Sequence, residues 1–99
     1  MRHVIVRYKV KPGQAELNEK LVKAVYEELH ETKPAGFRYA TFRAEDGLSF
    51  THVAFQEGDD NPLAANKAFG TFTDNIADRC EIPPQVTEMH VVGNYQLVD

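Results

Sequence analysis

Two runs rich in aromatic and β-branched residues, "FRYATFR" (Phe37–Arg43) and "LSFTHVAFQ" (Leu48–Gln56), are separated in this chain by only the four residues "AEDG". Asp46-Gly47 is a hairpin signal, because glycine supplies the positive φ that a tight turn between strands demands. Strands this close in sequence can pair only antiparallel, since a parallel pair needs a crossover of roughly a dozen residues. The hairpin therefore commits the chain to an antiparallel sheet that the remaining segments must join or cover.

The flanking segments supply two more strands and two helices. "HVIVRYKV" (His3–Val10) sets Val4, Val6, Tyr8 and Val10 against His3, Arg7 and Lys9, the period of two that marks a strand, and "KPG" stops it. From Gln14 to about Thr32, Leu17, Leu21, Val25 and Leu29 recur every four residues with Val22 beside them, so one stripe of a helix is apolar. "KPAG" ends that helix, because proline forces the residue before it out of helical geometry. Asn61 and Pro62 read as the N-cap and first position of a second helix that carries Ala65, Phe69, Phe72 and Ile76, with Gly70 as a candidate bend and Asp59 and Asp60 in a solvated turn before it. "EIPP" (Glu81–Pro84) is expected to end it, leaving "QVTEMHVVGNYQLV" (Gln85–Val98) as a last strand with a bulge at Gly93.

The order β-α-β-β-α-β is the ferredoxin-like split βαβ pattern, an α+β fold: a four-stranded antiparallel sheet with two helices on one face, in a single domain over residues 1–99. Parity assigns the bare face. Val4, Val6 and Tyr8 should meet the helices while His3, Ile5 and Arg7 turn outward; Met89 and Val91 should point inward, and Glu88, His90 and Val92 outward. The third strand is balanced between Thr51, Val53 and Phe55 and Phe50, His52 and Ala54, and the reading taken is that His52 faces outward. Such an outer face is too apolar to leave in water, so two sheets are expected to pack face to face as a homodimer.

At 99 residues the core is thin, since a chain this short buries only about two-thirds of its unfolded surface. A net charge of −4, with eleven basic residues spread without a run, argues against nucleic acid or an anionic membrane surface and for small molecules or proteins as partners. No apolar run approaches the roughly 20 residues of a membrane span, and "MRHVIVRYKVKPG" lacks the pattern of a signal peptide, so the expected address is the cytoplasm. The single Cys80 excludes an internal disulfide and reads as a small buried apolar group near a helix end. No phosphate loop, nucleophile elbow or Cys-His pair is present.

The βαββαβ order, the opening "VIVRYKVKPGQ", the aromatic "AFGTF" in the second helix and the closing "VVGNYQL" together resemble the antibiotic biosynthesis monooxygenase-like dimeric α/β-barrel family over the whole chain. The resemblance implies a dimeric α/β barrel. It also implies a range of activities, from cofactor-independent oxygenation of polycyclic phenols to haem degradation and isomerisation of small metabolites, and includes relatives of no known activity. Haem degradation in that family uses an asparagine in the first strand, a histidine in the second helix and a tryptophan. Here Val6 stands about where the asparagine would fall, no histidine lies between Asn61 and Cys80, and there is no tryptophan.

A cofactor-independent oxygenase needs only a pocket that removes a proton from an electron-rich substrate, holds the anion and excludes water. Arg7, Tyr39, His52 and His90 are the candidate ligand contacts, with Tyr8 a further polar aromatic and His52 the candidate catalytic base; no cofactor and no metal are expected. His52 is expected near Arg7 or Ile5, and the Arg7 charge together with partial burial would keep the imidazole neutral unless Glu88 lies closer. The competing readings are a satisfied strand histidine at His52 and a three-imidazole zinc site at His3, His52 and His90. Two function classes follow: a small enzyme on an aromatic or enolisable metabolite, oxygenase or isomerase, or a non-catalytic dimeric binding or stress-response module.

Overall fold

The Asp-Gly turn forms as its chemistry requires. Gly47 has φ +74°, and the Asp46 carboxylate accepts from Leu48 N, Ser49 N and Ser49 Oγ, which pins the strand entering the turn's far side. The computed structural model describes residues 2–58 and 61–97. It contains β1 (Arg2–Val10), α1 (Ala15–Thr32), β2 (Phe37–Arg43), β3 (Ser49–Gln56), a 3-10 turn (Pro62–Ala65), α2 (Lys67–Thr73), α3 (Ile76–Arg79) and β4 (Cys80–Met89). The four strands form one antiparallel sheet in the order β2-β3-β1-β4. Tyr8, Val10 and Phe50 from the sheet pack with Val22 and Val25 of α1 and Phe72 of α2 as the core.

Register decides which face is which. Val6 pairs with His52 and Tyr8 with Phe50, and paired residues share a face, so Phe50, His52 and Ala54 point at the helices. The expected outward His52 is therefore corrected: its side chain is buried, and Phe50, at 2% exposure, is among the largest core residues. The last strand is inverted in the same way. Val86 and Glu88 stand opposite Val6 and Val4 on the helix side, while Met89 joins His3 on the outer face.

The end of the chain also departs from expectation. Pro83 and Pro84 lie inside β4 rather than before it. β4 is an edge strand, where a missing N–H on the solvent side costs no ladder bond. Its pairing slips opposite Arg7–Lys9, where β4 advances from Gln85 to Ile82, so the irregularity lies at the prolines and not at Gly93. Beyond Met89 residues 90–97 leave the sheet, and Val98 lies outside the described residues, as do Asp59 and Asp60.

The second helix is three pieces. Asn61 caps the 3-10 turn as expected, but Asn66 then leaves helical geometry (φ −84°, ψ 117°) and caps α2 with its own side chain, accepting from Phe69 N at 2.7 Å. Asn75, at φ +61°, breaks the chain again before α3. Asn61 and Asn66 offer the backbone local partners that compete with a continuous helix, whereas Asn75 makes no side-chain cap and turns the chain through its left-handed conformation. Gly70, the expected bend, lies within α2. In α1 the buried stripe is Ala15, Asn18, Val22 and Val25, with Leu17 left 48% exposed.

Candidate functional site

Between the sheet and the α2 region is a cavity of about 440 Å³. Val4, Val6 and Tyr8 of β1, Tyr39 of β2 and His52 of β3 form its floor, and Leu63, Phe69, Phe72 and Ile76 form its roof. The roof exists because Glu28 of α1 holds the start of α2: its carboxylate accepts from Lys67 N at 2.9 Å and Ala68 N at 3.0 Å. A negative charge there also suits the positive end of the helix dipole.

His52 is the polar centre of the floor. It is 4% exposed. Its Nε2 lies 2.8 Å from Tyr8 Oη, and its Nδ1 lies 2.6 Å from Tyr39 Oη and 3.1 Å from Thr41 Oγ1. Thr41 stands opposite His52 in the β2–β3 pairing and meets Tyr26 Oη at 2.7 Å. Asn18 Nδ2 donates to Tyr8 Oη at 2.9 Å. The rings stack around this network: Tyr8 on Phe50 at 5.6 Å, Tyr39 between Tyr26 at 5.3 Å and Phe37 at 5.6 Å, and His52 tilted against Phe72 at 5.4 Å.

Burial sets the charge state. Desolvation lowers the His52 pKa to about 4 and pushes the Tyr8 and Tyr39 hydroxyls far above their ordinary value. All three are neutral at pH 7. The neutral imidazole matches the expectation, but its cause is burial; Arg7 plays no part in it.

Of the residues singled out in the sequence, the structure joins His52, Tyr39 and Tyr8 in the cavity. Arg7 lies exposed on the opposite face of the sheet, in a groove with Ile5, Gln85, Thr87 and Met89. His90 is exposed beyond β4, beside a surface depression that also borders Arg2, His3 and Glu88. His3 shares the outer face with Phe55, so the sheet itself separates it from His52 and removes the three-imidazole alternative. Among the described residues no group of three or more potential ligands could hold a metal.

Thr41, Asn18 and Arg79 of the network were not foreseen. Asn18 is wholly buried in the apolar stripe of α1, and Arg79 is 6% exposed at the end of α3. The signal for Asn18 was present: a polar residue at i+3 from Ala15 and i−4 from Val22 sits where a core side chain belongs. Nothing in the sequence marked Arg79. Cys80 is buried near a helix end as expected, and burial raises its thiol pKa.

No protein-family model matches the chain, and no curated protein matches it in sequence. Solved structures match it in fold. A candidate antibiotic biosynthesis monooxygenase from Nitrosomonas europaea has a TM-score of 0.75 at 17% identity, covering 94% of this chain and 100% of that one. An antibiotic biosynthesis monooxygenase gives 0.71 at 19% identity over 94% and 100%. SnoaB of Streptomyces nogalater, a cofactor-independent oxygenase, gives 0.70 at 14% identity over 96% of each chain. The chain has the ferredoxin-like fold of these monooxygenase structures over nearly its whole length. Among the described residues no helix is long and apolar enough to cross a membrane.

Proposed function

We propose that this chain is a small cytoplasmic homodimer whose sheet-to-helix cavity takes one small aromatic or enolisable molecule and oxygenates it with O₂ and no cofactor. The cavity carries the reading. Its volume of about 440 Å³ lies in the range of small-molecule sites, and it combines ring-lined walls with a few polar groups, the Tyr39–His52 pair on the floor and Arg2, Gln56 and Asn61 on the lining. The shared fold with a cofactor-independent oxygenase supports the reaction class by analogy.

The chemistry asks little of the protein. An enolisable CH₂ that loses a proton becomes an electron-rich anion able to reduce O₂ directly; one oxygen atom stays as the new carbonyl and the other leaves as water. A bound ring would displace water from the apolar walls, and a hydroxyl donor can hold the oxygen on which negative charge collects. With a pKa of about 4, His52 is too weak a base to take that proton at pH 7, so the substrate gives it to solvent and is bound as its anion. That favours a substrate acidic enough to ionise readily over isomerisation, which needs a base that takes and returns a proton near neutral pH. The same weak basicity favours, as a second reading, a non-catalytic binding module. Arg7 and His90 fall outside the cavity and would contact ligand only where two outer faces meet.

The experiment is a fluorescence titration with 1-naphthol, together with oxygen-electrode assays over a panel of enolisable polycyclic phenols, on the wild type and Tyr39→Phe. The expected result is saturable binding that weakens by about tenfold in the variant, the worth of one hydrogen bond, with O₂ uptake on at least one phenol. Binding without O₂ uptake selects the module; no binding by any compound overturns the site.

A further inference from the structure

We infer that Arg79 sets the direction of one continuous hydrogen-bond relay, Arg79 to Asn18 to Tyr8 to His52 to Tyr39, so that Tyr39 offers its O–H to the cavity and the site selects ligands bearing an acceptor oxygen, such as a ketone, quinone or enolate. The ligand class rests on the cavity being a small-molecule site; the direction of the relay does not.

The argument begins at a group that can only donate. A guanidinium has five N–H donors and no acceptor. Arg79 is buried and gives Nη2–H to Phe72 O at 2.6 Å, Nη1–H to Asp74 O at 3.1 Å and Nε–H to Asn18 Oδ1 at 3.4 Å. The amide oxygen of Asn18 must therefore face Arg79, which turns its NH₂ group toward Tyr8. Tyr8 Oη then accepts, and its own proton needs a destination. His52 Nε2, at 2.8 Å, is the acceptor in reach among the described residues.

A neutral imidazole has one donor and one acceptor nitrogen. With Nε2 accepting, the proton sits on Nδ1 and points at Tyr39 Oη at 2.6 Å and Thr41 Oγ1 at 3.1 Å. Either oxygen can donate in the 2.7 Å contact of Tyr26 with Thr41; with Tyr26 donating and Thr41 passing its own proton to Tyr39 Oη, the Tyr39 proton is left for the cavity that its ring lines. The reverse direction would strand the proton of buried Tyr8 without an acceptor, at the full desolvation penalty of a buried polar group. It follows that the lone pair of His52 is covered by Tyr8, so His52 orients Tyr39 instead of taking a proton from ligand. Asn18 and Tyr8 are positioning residues.

Nitrogen-15 NMR of the histidine-labelled full chain reads the direction without any ligand. The expected wild-type spectrum is the Nδ1–H tautomer of His52; the Nε2–H tautomer overturns the proposal. In Asn18→Asp the new carboxylate accepts from both Arg79 and Tyr8, which reverses Tyr8 and should switch His52 to Nε2–H. A folded variant that keeps Nδ1–H removes Arg79 from control, and if the variant does not fold the wild-type spectrum still decides. For the ligand class the probes are 1-tetralone, an acceptor only, and indole, a donor only. The expected preference is for tetralone by about tenfold, lost in Tyr39→Phe. Preference for indole overturns the ligand class; binding of neither overturns it together with the site, while the spectra still judge the relay.

Discussion

Burial holds the imidazole of His52 at a pKa of about 4 against 6.5 for the free side chain. Between those values the unfolded chain binds a proton that the native one refuses, so stability is complete above about pH 6.5 and falls as pH drops toward 4. The loss amounts to at most about 3 kcal/mol. Urea melts at pH 7.0 and 4.5 on the wild type and His52→Gln test this. The wild type should lose more stability on acidification than the variant, and equal losses would assign the effect to other groups. The sequence placed a histidine in a strand and allowed it to be neutral. It could not choose the face, because Phe50, His52 and Ala54 are about as apolar as Thr51, Val53 and Phe55, and the pairing of Val6 with His52 made the choice.

At the scale of elements, the hairpin, β1 and α1 were legible because each carries its own punctuation: Asp46-Gly47, the period of two, and Pro34 after the αL residue Lys33 that closes α1. The segment from Asn61 to Met89 was not. Its asparagines cap short pieces, and its prolines read as a helix stop although they sit on an edge strand, a distinction that depends on which strands are neighbours. Asn66 does double duty, accepting from Phe69 N and donating to Val25 O at 3.4 Å, so it ties the cavity roof to α1. Asn66→Ala should cost about 1–2 kcal/mol. Hydrogen exchange should show the amides of residues 67–73 losing protection before those of β1; uniform loss would mean that α2 is not an independent unit.

For the whole molecule, packing turns on the outer sheet face. Ile5, Val53, Phe55 and Met89 border a hollow of about 500 Å³ with the segment after β4, in which Val92 is fully exposed at 102%, Tyr95 at 86% and Leu97 at 68%. His3 Nε2 is buried on this face with no hydrogen-bond partner among the described residues. An apolar surface with a stranded donor or acceptor is what a second copy would cover. Light scattering at micromolar concentration should return twice the chain mass of 11.2 kDa. Ile5→Glu, which places a charge in the contact, should return the monomer with its circular dichroism unchanged; a wild-type monomer would sink the dimer.

The sequence by itself determined the element order and the antiparallel sheet, because turn chemistry and hydrophobic period act over a few neighbouring residues. It also named Tyr8, Tyr39 and His52 as polar aromatics worth watching. Tertiary structure alone decided that these three meet, that Arg7 lies on the far side of the sheet, and that Asn18 and Arg79 complete the network from residues 61 positions apart in the chain. The reason is physical: which face a strand buries is settled by register against its neighbours, and a hydrogen-bond relay is settled by which donors have no other acceptor once water is excluded.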